Sequence, residues 1–211
     1  MKVTSKKVCS LFLVVSLLTL VFGVNAYAYN GFAAKTYADK YWKNYNTAEY
    51  ETQSLDCTNF VSQCIHAGGV PFDKTGTDYL QWWYDQGILW DSWSYSWVNA
   101  SIFANYLKEN PAATLIARYS ARTDDSYPTP PNNVSTTAVG DVLMYDWDSN
   151  GKSDHAAILV STYGKDESTA PSNGQYGDLQ DQHTKDYYHV IWNLNYYSDY
   201  KTMTITVLRP N

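Results

Sequence analysis

The spacing of apolar residues predicts three helices in the first half of the chain. The clearest begins at Cys57, because apolar residues follow it at helical intervals on one face: Phe60, Val61, Cys64 and Ile65. The pair Gly68-Gly69 then supplies a C-terminal stop. Residues 30–50, whose apolar positions lie three to five apart, and Val98 to Leu107 are the other two predicted helices.

After residue 110 the pattern changes to short apolar runs separated by Gly, Pro, Asn and Asp, which is typical of strands and turns. The predicted strands are Thr114–Ala121, Val142–Tyr145, His155–Thr162, Leu179–Thr184, Val190–Leu194 and Lys201–Leu208. Helices followed by strands favour an α+β domain in which the helices pack on an antiparallel sheet.

The N-terminal segment has the pattern of a secretory signal peptide. Three lysines precede a mostly apolar run from Leu11 to Val24, and Ala26-Tyr27-Ala28 matches a signal-peptidase site. The run is shorter than the roughly 20 residues of a transmembrane helix. We therefore expect residues 1–28 to be removed. Residues 29–211 would form one secreted domain without stable membrane insertion, acting outside the cell or at the cell wall.

The charge of the chain argues against nucleic acid as a partner. The formal charge is −6, and loss of the three N-terminal lysines would leave −9. Binding to phosphates requires clustered Lys and Arg. The expected partner is a peptide amide or wall polymer, and an anionic polymer would have to be held by short-range contacts.

Two cysteines remain in the exported domain, and helical geometry keeps them apart. Seven residues at ~1.5 Å per residue separate the Cα atoms of Cys57 and Cys64 by roughly 10 Å. A disulfide tolerates no more than about 7 Å. Both thiols should therefore be free, with Cys64 packed in the core. Cys57 lies at the positive end of the helix dipole, which favours the thiolate and makes it the candidate nucleophile.

A cysteine nucleophile requires a base, and the base requires a polar residue that orients it. His155 opens an apolar strand after a polar turn, which makes it the candidate base. The next strand offers three candidates for the orienting residue. Period-two geometry places Asp181 and His183 on one face and Gln182 on the other. His183 is the first choice and Asp181 the second, and the sequence leaves the choice open.

Other polar and aromatic residues have supporting roles in this interpretation. Asp56 is expected to cap the cysteine helix, and Thr58 to support the same turn. The Trp-rich stretch from Trp82 to Trp97 is a hypothetical cleft wall for sugar stacking. Asp146–Gly151 resembles half of a calcium loop but lacks the terminal glutamate, so it is interpreted as a hairpin turn. No cofactor or metal is predicted.

Several ordered motifs together resemble the Putative amidase domain family of exported bacterial proteins. They are Asp-Cys-Thr-Asn-Phe-Val-Ser-Gln at 56–63 with Ala67-Gly68-Gly69, the upstream Tyr37-Ala38 and Tyr45-Asn46, Gly140-Asp141-Val142, Asp154-His155 and Gln182-His183-Thr184. That family is similar to the NlpC-type and CHAP cysteine hydrolases of the papain-like superfamily. The resemblance implies a papain-like fold with Cys57 and His155 as the dyad and the third residue at or near His183. It also implies that Tyr45 lines the site.

The resulting interpretation is a secreted cysteine amidase or peptidase acting on bacterial cell-wall peptidoglycan. Cys57 would attack an amide carbonyl, and backbone N–H groups at the helix start would bind the oxyanion. His155 would protonate the leaving amine and then activate water. The alternatives are a catalytically silent domain that binds wall glycan, and an acyl transferase that passes the acyl group to an amine.

Overall fold

The computed structural model describes residues 28–109, 112–121, 126–198 and 201–211. The predicted signal peptide lies outside this part of the chain except for Ala28. The described residues form four helices, all of them before the main sheet: α1 (Gly31–Tyr41), α2 (Cys57–Ala67), α3 (Tyr95–Val98) and α4 (Ala100–Glu109). The strands are β1 (Tyr84–Asp85), β2 (Ser92–Trp93), β3 (Ala113–Ser120), β4 (Val142–Asp146), β5 (His155–Lys165), β6 (Tyr176–Gln182), β7 (Tyr187–Ile191) and β8 (Thr204–Pro210).

Six of the strands form one antiparallel sheet in the order β3-β8-β4-β5-β6-β7. Strands β4 to β7 follow one another as a meander, and β8 returns to fill the place between β3 and β4. The combination of helices with an antiparallel sheet is the α+β class that the sequence predicts. Among the described residues, no helix combines the length and the apolar character required to cross a membrane.

The sheet is buried on both faces. The helices cover one face, where Phe60 and Ile65 of α2 pack with Ile158 of β5 in a common core. On the opposite face, Tyr145 and Trp192 are fully buried in a second core. Strand β5 contributes alternate residues to the two cores, as the period of two for side chains in a strand requires.

The first predicted helix is shorter than the sequence suggested. It ends at Tyr41 rather than near residue 50, and turns follow from Lys43. The apolar positions used for the prediction stop at Trp42, and the next residues include Asn44 and Asn46, which favour turns.

The Trp-rich stretch is partly core, and the hypothetical stacking wall from Trp82 to Trp97 is wrong for both of its end residues. Both indoles are fully buried behind α2. The Trp82 indole N–H donates to Ser62, and that of Trp97 donates to Asn59, at 3.0 and 2.8 Å. Trp90, in the loop between β1 and β2, is by contrast 86% exposed.

Candidate active site

Cys57 is the first residue of α2, and it lines a pocket of about 510 Å³. His155, the first residue of β5, lines the same pocket. The start of α2 therefore brings the predicted nucleophile to the predicted base.

The surroundings of the Cys57 thiol favour its anionic form. Burial is the largest single influence and raises the pKa of the thiol, whereas the charge and the hydrogen bond of His155 lower it. The backbone N–H of Ala156 and the hydroxyl of Thr58 lower it further, and the result is a pKa of about 7. The Thr58 hydroxyl oxygen lies 3.8 Å from the sulfur. A thiol with this pKa is substantially ionised at neutral pH.

Aromatic rings hold the imidazole of His155 in place. It stacks on Trp147, with ring centroids 5.4 Å apart, and is tilted against Tyr145 at 5.6 Å. Within the described part of the chain, its Nε2 atom is buried and has no hydrogen-bond partner. The orienting hydrogen bond that the sequence analysis expected from a neighbouring strand is therefore not formed here.

His183, the first choice for that bond, lies elsewhere. Its Nδ1 is 2.5 Å from Oδ2 of Asp56, and its Nε2 is 2.9 Å from the carbonyl oxygen of Tyr41. Both ring nitrogens of His183 are therefore engaged, one by a side chain and one by the backbone. The ring is stacked between Phe60 and Tyr45, at 3.9 and 4.0 Å. His183 thus stabilises the turn before the nucleophile through Asp56, and it makes no hydrogen bond to His155.

Asp181 also faces the helices rather than His155. Its Oδ1 accepts the backbone N–H of His189 at 2.8 Å. Gln182 is the candidate that shares the pocket with Cys57 and His155. Its side chain accepts from Gln180 and donates to the Lys185 carbonyl, both at 3.0 Å. Asp181 and His183 do lie on one face of the strand, but it is the face opposite to His155.

Asp56 does not cap α2 through its side chain, which corrects the expectation from the sequence. Its Oδ1 accepts instead from the backbone N–H of Gln53 at 2.7 Å and from the Asn59 side chain at 2.8 Å. Since its Oδ2 meets His183, the carboxylate ties three segments together around the nucleophile turn. The physical reason is that the side chain is turned toward these donors and away from the amides of the first helical turn.

Tyr45 is not among the residues that line the pocket, contrary to the implication of the family resemblance. Its ring lies against His183, and its hydroxyl donates to Asp186 at 2.9 Å. Burial, followed by the hydrogen bond to Asp186, raises the pKa of this phenol. Tyr45 therefore packs on the buried ring of His183 and does not face the pocket.

Thr184 is a pocket residue that the sequence analysis placed in a family motif but did not name as a site residue. The backbone N–H of Cys57 donates to its hydroxyl oxygen at 3.1 Å. That N–H was expected to face the substrate oxyanion. Thr184 also has a positive φ of 76°, which is uncommon for a β-branched residue. Sequence periodicity carries no signal for such a backbone conformation, since it is set by the turn between β6 and β7.

The loop between β4 and β5 delivers His155 to the pocket. Asp146 accepts the backbone N–H groups of Asn150 and Gly151, at 3.0 and 2.7 Å, and Asp154 accepts that of Trp147 at 2.9 Å. The loop joins paired antiparallel strands, as expected of a hairpin turn. Carboxylate oxygens of Asp146, Asp148 and Asp154 nevertheless lie within 4.8 Å of one another.

Comparison with known families adds an independent finding to this geometry. A family model described as Putative amidase domain matches residues 28–208. The chain belongs to this family. The match includes every residue of the pocket, and it supports an amidase-type activity at the level of the family.

Two curated relatives of this family member come from Bacillus subtilis (strain 168). The uncharacterized protein YhbB is 34% identical over 146 residues, which cover 69% of this chain and 40% of the relative. The uncharacterized protein YjcM is 30% identical over 140 residues, which cover 63% of this chain and 28% of the relative. The chain thus spans less than half the length of either relative. The comparison with solved structures gives no significant match.

Proposed function

We propose that this protein is a secreted cysteine hydrolase that cleaves amide bonds, with bacterial cell-wall peptidoglycan as its substrate. The observation that carries the proposal is the position of Cys57 beside His155 in an open pocket, with the thiol pKa lowered to about 7. The family match supports the amidase class. The N-terminal pattern of a signal peptide supports export.

The proposed reaction passes through an acyl-enzyme. The proton of the Cys57 thiol passes to His155, the sulfur forms a bond to the amide carbonyl carbon, and the carbonyl oxygen takes up the negative charge. The C–N bond then breaks as His155 transfers this proton to the leaving amine. Water next gives a proton to His155 and attacks the thioester carbon, the C–S bond breaks with release of the acid, and return of the proton to sulfur restores the thiol–imidazole pair.

The position of Thr184 suggests how the oxyanion is bound. Because its hydroxyl oxygen accepts the Cys57 N–H, its own hydrogen is available to be directed into the pocket. We infer that either this hydroxyl donates to the oxyanion or it moves aside and exposes the N–H. Both routes place the negative charge at the N-terminus of α2, where the helix dipole stabilises it.

The proposed arrangement is papain-like, with a nucleophile helix packed on an antiparallel sheet and a histidine at a strand end. Gln182 is the proposed third residue, because it lines the same pocket as His155, whose Nε2 has no hydrogen-bond partner among the described residues. In this role its amide group would have to leave Gln180 and turn its oxygen toward the imidazole. His183 and Asp181 are assigned the separate role of supporting the turn and the helical layer.

The lining of the pocket suits a peptide that carries charges of both signs. Lys185 and Asp154 line it together with the apolar ring of Trp147. Cell-wall stem peptides combine carboxylates, amines and small side chains. Short-range pairing with Lys185 and Asp154 would offset the long-range repulsion between an acidic protein and an anionic polymer.

The proposal is tested by incubating the purified protein with purified peptidoglycan and identifying released fragments by mass spectrometry. We expect new amino and carboxyl ends at one type of peptide or amide bond, and no such fragments from Cys57→Ala. Identical fragments from both proteins would rule out a cysteine mechanism on this substrate. A product with a new amide link to an added amine would identify an acyl transferase instead.

A further inference from the structure

A second cluster of ionisable side chains lies between the helices and the sheet, outside the pocket of Cys57. Asp39 comes from α1, Asp181 from β6 and His189 from β7. Each offers one ligand atom, and the three atoms lie within 4.8 Å of one another. None of these residues lines the candidate active site.

One atom of this cluster lacks a partner. Oδ2 of Asp181 is fully buried and makes no hydrogen bond within the described part of the chain. A buried carboxylate oxygen without a donor carries a large desolvation cost. A cation placed among the three side chains would compensate this buried oxygen.

The remaining atoms of the cluster are already positioned for coordination. Oδ1 of Asp181 accepts the backbone N–H of His189, and Oδ2 of Asp39 pairs with Lys35. These contacts resemble the outer hydrogen bonds that orient metal ligands. Nε2 of His189 is hydrogen-bonded to Oδ1 of Asp39 at 3.1 Å. A bound ion would take the place of the proton in this bond, and the two atoms would need to move only to the roughly 3.4 Å that separates two ligands about 2.1 Å from a tetrahedral ion.

We propose that Asp39, Asp181 and His189 form a binding site for a divalent cation of the Zn²⁺ type. One imidazole nitrogen and two carboxylate oxygens are a suitable donor set for such an ion. The side chains of His189 and Asp39 are 26% and 28% exposed, which gives an ion access to the site. The bound ion fastens α1 to β6 and β7. This role is independent of the proposed amidase activity.

The test uses Zn²⁺ and calorimetry on EDTA-treated protein in a Cys57→Ala background, because the thiol and its histidine would bind zinc themselves. We expect one Zn²⁺ per chain and an unfolding temperature that rises with Zn²⁺ concentration. Asp181→Asn should weaken binding by about tenfold or more. Asp148→Asn, which removes a carboxylate from the β4–β5 loop, is the matched control and should bind Zn²⁺ as its parent does.

A further variant is expected to change the affinity in the opposite direction. Lys35→Met removes a positive charge next to Asp39 and should therefore tighten Zn²⁺ binding several-fold. A merely unfolded variant would not bind more tightly. His189→Gln replaces Asp181→Asn if the latter does not fold in EDTA. Unchanged affinity in the ligand variant, or loss of binding in Asp148→Asn instead, would overturn the proposed site.

Discussion

The two cysteines of α2 occupy opposite environments although they share one helix. Cys57 opens the helix and lines a pocket, and its pKa is lowered to about 7 despite burial. Cys64 lies two turns later in the core, where burial and then the charge of Asp181 raise its pKa well above the ordinary value. The residue type and the hydrophobic face are the same, so the difference comes from neighbours.

The neighbours that matter are hydrogen-bond donors. Cys57 meets an imidazole, a backbone N–H and a hydroxyl, all of which stabilise a thiolate. Cys64 meets apolar side chains and carboxylates, which stabilise the neutral thiol. Burial alone therefore does not make a thiol inert. A buried thiol is reactive where the surrounding groups replace the solvation that water would have provided.

The largest expected effect separates the two cysteines by activity. Cys57→Ala should lower the rate of amide cleavage by on the order of a thousandfold or more, since it removes the nucleophile. Cys64→Ala should retain most of the wild-type rate. The measurement is release of amino groups from peptidoglycan by each variant at equal concentration of folded protein. Comparable losses of activity in both variants would contradict the assignment of Cys57 as the nucleophile and of Cys64 as a core residue.

A second prediction concerns the source of the low Cys57 pKa. In the wild-type protein, iodoacetamide should label Cys57 with a rate that rises through a midpoint near pH 7, because the thiolate is the reactive form. In His155→Gln the lowering charge is lost while burial remains, so the midpoint should move upward. Amide cleavage should fall by roughly a hundredfold or more.

Peptide mapping by mass spectrometry identifies the labelled cysteine at each pH. Cys64 should remain unlabelled in the folded protein over the same range, and it should become labelled after denaturation. An unchanged midpoint in His155→Gln would show that the helix terminus, rather than the imidazole, controls the thiol.

Much of this architecture follows from the sequence because it depends on local periodicity. The helix that begins at Cys57 appears at its predicted start, and each of the six predicted strands of the second half overlaps a strand of the sheet. The overlap is small for Val190–Leu194, because β7 already ends at Ile191. The start of β5 at His155 also agrees with the prediction. These features depend on burying one face of a helix or both faces of a strand, which leaves a direct pattern in the chain.

The partners of each polar residue could not be predicted in the same way. Periodicity correctly groups Asp181 with His183, but it does not say which face of β6 meets His155. Which face of β6 lies near His155 depends on the register between β5 and β6 and on where α2 packs against the sheet. The bond from Cys57 to Thr184 connects residues 127 positions apart through a turn with positive φ. No local pattern encodes a contact of this kind.

His155 and His183 should differ in what they control: His155 the pKa of the Cys57 thiol, and His183 the stability of the turn before it. His183→Gln should lower the free energy of unfolding by about 1–3 kcal/mol, because a buried, charge-assisted bond to Asp56 is lost. The pH midpoint of Cys57 labelling should stay close to the wild-type value, since His183 makes no bond to the thiol or to His155. Chemical denaturation and alkylation measure the two properties separately. A shift in midpoint equal to that of His155→Gln would give His183 a direct role.

The smallest expected effect completes the comparison between the two cysteines. Cys64→Ala should lower the free energy of unfolding by about 1 kcal/mol, because it removes one buried sulfur from a closely packed core. Cys57→Ala should change stability less, since its thiol borders a pocket rather than a packed layer. Urea denaturation of the two variants under identical conditions gives both values. Cys57→Ala would then have the larger effect on activity, and Cys64→Ala the larger effect on stability. A larger stability loss in Cys57→Ala would contradict the assignment of Cys64 to packing.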